Sequence, residues 1–379
     1  MRKTLKKDAV PSVFSWSLEP SASTQERLER AEKRAKNREI EPEFQPDIDV
    51  MEVEVSEEVV AVGDSEESSI SMSDATSQTA AWTRMDISDL KLNPKVLQYY
   101  TGLDNSEHFD FILTTLGPAA YHLNYRWRRP LKPSIENQLL ITLIKLRLHT
   151  PNIELTFLFD VCETTISNIF VTWVNFMYVK WSQLDIWPSK ELVQFYMPSS
   201  FKQEFANTRL IIDGVEVPVQ KPSQPKAQQI TYSSYKNRNT LKTIVGISPG
   251  GLTSYIPDAH GGSSSDRILV ERSDLTQRCD PKDSIMCDKG FDVQDIFAPF
   301  DVKINMPTFM RKKNQLTNEE VIRDRKIASQ RVHVERVIGL AKTYKILTTP
   351  MTNIETCLGS RIIFVCFMLC NFRQNIVTK

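Results

Sequence analysis

Two aspartates in the second half of the chain stand where apolar runs end. Asp213 closes the run RLIID, and Asp288 closes the run SIMCD further along. A carboxylate at the end of a buried strand can hold a metal ion at the sheet edge, and adjacent parallel strands would bring both carboxylates to one edge. A turn aspartate after a strand is an equally good explanation of either fragment alone. The repetition, with a glycine close behind each aspartate, favours a shared site.

A third acidic residue, Glu335, lies in a segment that predicts a long helix. Its neighbours at helical spacing include Arg331, Val332 and Ile338. An exposed Arg331–Glu335 ion pair would add little to stability. The apolar neighbours instead predict that Glu335 is at least partly buried, and a half-buried glutamate requires a cation. Two aspartates and one glutamate that converge can bind two Mg²⁺ or Mn²⁺ ions, an arrangement suited to phosphodiester chemistry.

Charge is distributed unevenly along the chain. The 379 residues have zero net charge, but residues 1–80 carry −8 and the remainder carries +8. A basic body of this kind favours a polyanionic partner. Residues 1–82 are acidic and rich in serine, which predicts a disordered leader because such composition buries too little apolar surface. The six cysteines form no CxxC pair, and the longest apolar run, Ile362–Leu369, is too short to span a bilayer.

Residues 83–200 have the apolar periodicity of helices. Glu136–His149 is apolar almost all round and predicts a central core helix. A short helix, a tight connection and a third helix complete the outline of a helix-turn-helix within residues 136–180. Thr164–Val179 of the third helix contains no lysine or arginine, so DNA reading and a purely structural role are about equally supported. Its candidate base-reading residues are Thr164, Thr165, Ser167 and Asn168.

Residues 205–350 alternate between short strands and helices. The runs KTIVGISP and LTSYIP, joined by two glycines, predict a hairpin. Thr317-x-x-Glu320 is a capping box and predicts a long helix that runs to about Tyr344. The order of elements predicts a mixed α/β core resembling ribonuclease H. Residues 351–379 are expected to form a C-terminal helix that packs on this core.

Five sequence blocks here occur in the order of a known family. They are IIDGVEVPV, YSSYKNRNTLKTIVGISPGG, AHGGSSSDRIL, IMCDKGF and RVHVERVIGLAK. With the upstream YYTGL and helix-turn-helix segment, they resemble the DDE endonuclease of PIF/Harbinger-type transposases over roughly residues 97–350. The resemblance implies a ribonuclease H-like fold that cleaves and joins DNA. It also implies that Asp213, Asp288 and Glu335 are the catalytic acids of a two-metal site for Mg²⁺ or Mn²⁺.

The same resemblance bears on partners and location. Harbinger-type elements commonly encode a separate Myb-like protein for DNA binding, and transposases pair two element ends. A Myb-like partner and a homo-oligomer are therefore expected, along with the DNA itself, and no membrane. A protein that acts on such DNA is expected in the nucleus, with a further fraction in the cytoplasm.

Asp266, in the block AHGGSSSDRIL, matches another acidic position of the family pattern. Ser263–Asp266 precede a segment with helical apolar periodicity. We therefore favour a helix-capping role for Asp266, with support of the acidic site as the alternative.

Basic residues near the acids are candidate contacts to DNA phosphates, and ordinary solvated surface is the alternative for each of them. One group lies beside two tyrosines before the hairpin. A second lies along the long helix, and a third is interleaved with aromatic residues before the core helix. They are Lys236, Asn237 and Arg238; Arg331, Arg336 and Lys342; and Arg126, Arg128 and Arg129.

Two functions of different class fit these features. The first is a metal-dependent endonuclease and strand transferase. The second is a domesticated, non-catalytic protein that binds DNA or scaffolds chromatin partners on the same fold. Metal affinity at the three acids distinguishes the two.

Overall fold

The computed structural model describes residues 84–127, 129–130, 132–309 and 315–373. The leader predicted over residues 1–82 and the candidate DNA contact Arg128 lie outside the described residues. A helical region precedes an α/β region built on a mixed sheet, which confirms the predicted order of the two folds.

Side-chain caps start most helices of the first region. Asp86, Asn93, Asn105, Ser134 and Ser189 each accept a hydrogen bond from a backbone amide in the first turn that follows. The helices are α1 (Ile87–Lys91), α2 (Pro94–Thr101), α3 (Ser106–Leu116), α4 (Ile135–Leu148), α5 (Asn152–Phe159), α6 (Glu163–Ser182), α7 (Lys190–Tyr196) and α8 (Ser199–Glu204), with a 3-10 turn at Pro118–His122.

Helix α4 is the core of this region, as its all-round apolar sequence predicted. Every residue from 137 to 146 is buried. Helices α5 and α6 meet at 103°, and Asp160 adopts a left-handed conformation with φ 52° in the turn between them. This is the angle expected of a helix-turn-helix. Among the described residues no single helix is long and apolar enough to cross a membrane, although α5 and α6 together meet that test by length and composition.

The sheet of the second region is mixed. Its central strand β1 pairs antiparallel with β3 and parallel with β6, and β6 in turn pairs parallel with β7. The order is β2-β3-β1-β6-β7, and β4 and β5 also pair with β3. The strands are β1 (Thr208–Pro218), β2 (Tyr232–Ser233), β3 (Arg238–Ile247), β4 (Thr253–Tyr255), β5 (His260–Gly261), β6 (Ser284–Met286) and β7 (Lys303–Asn305).

Helices flank this sheet and follow it. The longest of them, α13, starts at the predicted capping box, in which Thr317 and Glu320 bond reciprocally. The helices are α9 (Pro225–Thr231), α10 (Asp266–Arg272), α11 (Leu275–Arg278), α12 (Gln294–Phe297), α13 (Asn318–Ala341), α14 (Asn353–Cys357) and α15 (Gly359–Asn371), with 3-10 turns at Ala298–Phe300 and Lys345–Leu347.

Strand β1 is longer than the sequence predicted. Asp213 was expected at its end, but the strand continues to Pro218, with Asp213 opposite Val245 of β3 and Pro218 opposite Thr240. The prediction was wrong because Gly214 does not break the strand, and the alternation of buried residues resumes with Val215.

Successive residues of β1 face two different layers. Ile211, Val215 and Val217 pack into a core shared with the helical region, α13 and α15, whereas Leu210 and Ile212 pack into a smaller core with α10 to α12. Since Asp213 has the parity of Ile211 and Val215, it lies on the α13 side of the sheet.

A buried ionic cluster joins the helical region to the C-terminal segment. Lys145 Nζ lies 3.3 Å from Glu355 Oε1, and His149 Nε2 lies 3.0 Å from Glu355 Oε2. Thr352 also donates its backbone amide to Glu355 at 2.9 Å. Burial alone would raise the pKa of Glu355, but these partners lower it to about 2. The helix-turn-helix and the α/β region are therefore held together by a charged contact as well as by a shared apolar core.

Candidate active site

Strand register brings Asp213 and Asp288 together. Ile211 of β1 lies opposite Met286 of the parallel strand β6. Each aspartate comes two residues later, so both stand on the same face of the sheet where the β1–β6 pairing ends. Each carboxylate also accepts the next backbone amide, from Gly214 and from Lys289, at 2.8 Å. These local bonds fix the two carboxylates close to their own backbone.

Helix α13 adds Arg331 and Glu335 on that face. Arg331 Nη1 donates to Asp288 Oδ1 at 3.0 Å, and Arg331 Nη2 lies 3.9 Å from Glu335 Oε1. The Arg331 side chain is 12% exposed, whereas those of Asp288 and Glu335 are 51% and 57% exposed. The predicted burial of Glu335 is not seen, because Val334 and the residues one turn after it point into the core and Glu335 lies beside that stripe.

The electrostatics of Asp213 reflect this crowding. Burial raises the pKa of its carboxyl above the ordinary value, and the nearby carboxylates of Asp288 and Glu335 raise it further. The Gly214 amide and the Arg331 guanidinium act in the opposite direction. Three acidic groups thus lie within electrostatic reach of one another, with the half-buried Arg331 as the cation among them.

The donor set suits a hard divalent cation, since carboxylate oxygens are the preferred ligands of Mg²⁺ and Mn²⁺. No group of three or more acidic, histidine or cysteine side chains lies at ligating distance anywhere in the described ranges. At the Asp213 site, the Arg331 guanidinium bonds to Asp288 and lies 3.9 Å from Glu335. An ion held by the three acids would therefore share Asp288 with this guanidinium or replace it there.

A second charged cluster lies on the opposite face of β1. Lys242 Nζ lies 3.1 Å from Asp266 Oδ1 and 3.9 Å from Glu216 Oε1, and Thr240 donates to Glu216 at 3.1 Å. Gly214 sits against this cluster, since a Cβ there would come within 2.9 Å of Asp266 Oδ1. The cluster therefore packs directly behind Asp213.

This cluster changes the expected role of Asp266. The side chain of Ser265, not that of Asp266, caps α10 by accepting from Ile268 N at 3.3 Å. The favoured capping role was wrong because Asp266 is already the first residue inside the helix and its carboxylate turns towards Lys242. Sequence reasoning missed Glu216 and Lys242 altogether. The register that pairs them across β1 and β3 would have found them.

The candidate base-reading residues of α6 lie in different environments. Thr164 is exposed, Thr165 and Ser167 are half-buried, and Asn168 is only 3% exposed. The hydroxyls of Thr164 and Thr165 both contact Cys162 Sγ, at 3.2 and 3.0 Å. The fully exposed residues of α6 are Glu163 and Thr164 at its start and Ser182 at its end, and those between them are half-buried or buried.

The candidate phosphate contacts are also divided. Lys236, Asn237 and Arg238 are exposed at the β2–β3 connection, and Arg336 and Lys342 are exposed on and just after α13. Arg331 is instead engaged with Asp288. Elsewhere, the guanidinium of Arg126 lies 5.2 Å from the Trp127 ring, and Arg129 donates to the Tyr121 carbonyl at 2.6 Å.

Comparison with known families agrees with the division of the chain into a helical region and an α/β region. Residues 212–371 match the model of the DDE superfamily endonuclease, and residues 131–183 match the helix-turn-helix of DDE superfamily endonuclease. A search of curated proteins and a search of solved structures give no significant match. The endonuclease match spans most of the sheet and α9 to α15, and the helix-turn-helix match spans α4 to α6.

Proposed function

We propose that this chain, which carries a DDE superfamily endonuclease domain behind the helix-turn-helix of that superfamily, is a divalent-metal-dependent DNA endonuclease and strand transferase of the transposase type. The observation that carries the proposal is the parallel register of β1 and β6, which sets Asp213 beside Asp288 opposite Glu335 on α13. We assign these three acids as the catalytic, metal-binding residues. The PIF/Harbinger subtype and a ribonuclease H-like core are part of the proposal.

The three acids would hold Mg²⁺ or Mn²⁺, in a site for two ions. Such ions activate a water or a 3′-hydroxyl and stabilise the leaving oxygen of a phosphodiester. Before an ion arrives, Arg331 neutralises Asp288 and lies close to Glu335, which limits repulsion among the acids. The open sides of Asp288 and Glu335 give DNA access to the site, while the half-buried Asp213 anchors it to the central strand.

DNA is the proposed substrate, and the exposed basic residues of the β2–β3 connection and of α13 are its proposed phosphate contacts. Because α6 has no fully exposed lysine or arginine, a separate Myb-like protein is the proposed reader of the element ends. Pairing of two ends would require a homo-oligomer, and the nucleus is the proposed location.

A plasmid-nicking assay in Mn²⁺ tests this proposal. Glu335→Gln should abolish nicking, while Glu319→Gln, an exposed glutamate in the first turn of the same helix, should nick like the parent. Both variants should unfold at the parent's temperature. A parent that binds DNA yet leaves the plasmid intact, or a Glu335→Gln variant that still nicks, would contradict the assignment.

A non-catalytic DNA-binding or chromatin scaffold is the second candidate. One observation favours it: Arg331 already pairs with Asp288, so the acidic face has a charge partner without any metal. This function predicts DNA binding that is unchanged by Glu335→Gln and no nicking by any variant.

A further inference from the structure

The connection between β2 and β3 forms a basic and aromatic surface at one end of the sheet. Four basic side chains are exposed on this connection and on residues 221–231 before it, and none of them forms an ion pair within the described residues. They are Lys221, Lys226, Lys236 and Arg238. The sequence has no acidic residue from position 217 to 257. A surface with this unbalanced charge attracts a polyanion.

Two exposed tyrosines stand among these charges. Tyr235 is 80% exposed, and Tyr232, also exposed, lines a cavity of about 700 Å³ together with Arg238 and Lys221. Lys236 Nζ lies 4.4 Å from the centre of the Tyr235 ring. The ammonium lies over one face of the ring, so a base stacked on the opposite face would have it within reach of its phosphate. Exposed rings beside cations are what single-stranded nucleic acid requires, since stacked and paired duplex bases offer no free face.

The surface is held rigidly. Asn239, which is buried, donates to the Gln228 carbonyl at 3.0 Å and to Thr231 Oγ1 at 2.8 Å, and so ties the connection to α9. Ser233 Oγ accepts the Lys236 amide at 3.2 Å. The tyrosines are therefore presented on an ordered support, which reduces the entropy lost on binding.

The surface is also at a useful distance from the acids. Asp213 pairs with Val245 and Pro218 with Thr240, so the connection starts at least five strand residues beyond Asp213. At about 3.3 Å per residue this is roughly 17 Å, or about five base pairs of DNA. A strand cut at the acids could reach the tyrosines with nucleotides a few positions from the cut.

We infer that the surface formed by Tyr232, Tyr235, Lys236 and Arg238 binds single-stranded DNA by stacking unpaired bases on the tyrosines. The inference rests on the proposed function for the origin of that strand, a DNA end opened next to the cleavage point. The three acids define only the point of cleavage, and this surface adds a binding position for the unpaired strand next to that point.

Fluorescence anisotropy with the full chain tests this inference. The probes are a labelled 12-nucleotide DNA strand and the matching duplex, both in EDTA so that no cleavage occurs. Tyr235→Ala should weaken binding of the strand about tenfold and change duplex binding less than about twofold. Tyr235→Phe should bind like the parent, because the ring is kept. Tyr99→Ala, which removes a tyrosine 60% exposed on α2, is the matched control and should have no effect.

The charged part of the surface has its own readout. Lys236→Gln with Arg238→Gln should flatten the salt dependence of strand binding, because two phosphate contacts are lost. The inference is overturned if Tyr235→Ala leaves strand binding unchanged, if it weakens strand and duplex equally, or if only a matching RNA strand depends on the ring. The failure of this inference can be distinguished from the failure of the proposed function. A protein that nicks DNA but binds the strand independently of Tyr235 would contradict only this inference. A protein that binds the strand through Tyr235 but does not nick DNA would contradict only the nuclease assignment.

Discussion

The two faces of β1 each gather carboxylates around a single cation, and they differ in access to solvent. On the α13 side, Arg331 contacts Asp288 and Glu335, whose side chains are more than half exposed. On the α10 side, Lys242 contacts Asp266 and Glu216, whose side chains are 25% and 8% exposed. The same chemistry is thus open on one face and at least three-quarters buried on the other, here called the sealed face. In an open acidic cluster a metal ion can take over the contacts of the arginine, whereas a sealed cluster stabilises the packing of β1.

The largest effect expected on the open face is on catalysis. Asp213→Asn should lower Mn²⁺-dependent nicking about a thousandfold, because a metal ligand contributes several kcal/mol to the transition state. Asp266→Asn, on the sealed face, should retain most of the activity per folded molecule. The measurement is the initial rate of plasmid nicking. Equal losses in the two variants would erase the distinction between the faces.

On the sealed face the largest effect should be on stability. Lys242→Met leaves the carboxylates of Glu216 and Asp266 without their cation, and should lower the free energy of unfolding by about 4 kcal/mol. Urea denaturation measures this loss, with Lys226→Met, an exposed lysine on α9, as the control. A change below about 1 kcal/mol would show that solvent reaches this cluster.

The buried carboxylate of Glu355 is a third charged cluster, and its contribution to stability can be tested by a change of pH. Its pKa is held at about 2, below the ordinary 4.5, so its ion pairs stabilise the fold above pH 4.5 and this contribution is lost as pH falls towards 2. The loss should be about 3 kcal/mol. Stability against pH, measured by urea denaturation, should show this slope in the parent and a flatter one in Glu355→Gln. An equal dependence of stability on pH in the parent and in Glu355→Gln would show that Glu355 is not its cause.

The smallest change expected in stability is at Arg331. Arg331→Gln should lower the free energy of unfolding by no more than about 1 kcal/mol, since its partners are half-exposed. It should raise Mn²⁺ affinity about tenfold, because the guanidinium no longer competes for the carboxylates. Arg336→Gln, an exposed arginine on the same helix, is the control for calorimetric titration. Unchanged or weaker Mn²⁺ binding in Arg331→Gln would contradict competition.

Local patterns predicted the elements of this fold well. The capping box at Thr317 and the apolar sequence of α4 each fixed a helix, because caps and all-round burial are written in adjacent residues. The order of strands and helices likewise predicted a mixed sheet behind a helical region. The end of β1 was misplaced because Gly214 imitates a turn, and only its pairing with β3 shows otherwise.

Contacts between distant segments set the limit of prediction at the site. The contact of Arg331 with Asp288 spans 43 positions, and the pairing of Lys242 with Glu216 depends on strand register. Asn168 looked like a base-reading residue because it lies at the start of α6, but that face turns into the core. Which side of a helix is buried depends on elements far away in sequence, so sequence spacing alone cannot assign such side chains.

The most direct measurement is a Mn²⁺ titration followed by electron paramagnetic resonance of the free ion. The parent and Asp266→Asn should bind Mn²⁺ alike, whereas Asp288→Asn should lose most of that binding while remaining folded. Mn²⁺ binding that survives in Asp288→Asn, or that disappears in a folded Asp266→Asn, would contradict the assignment of the metal site to the open face of β1.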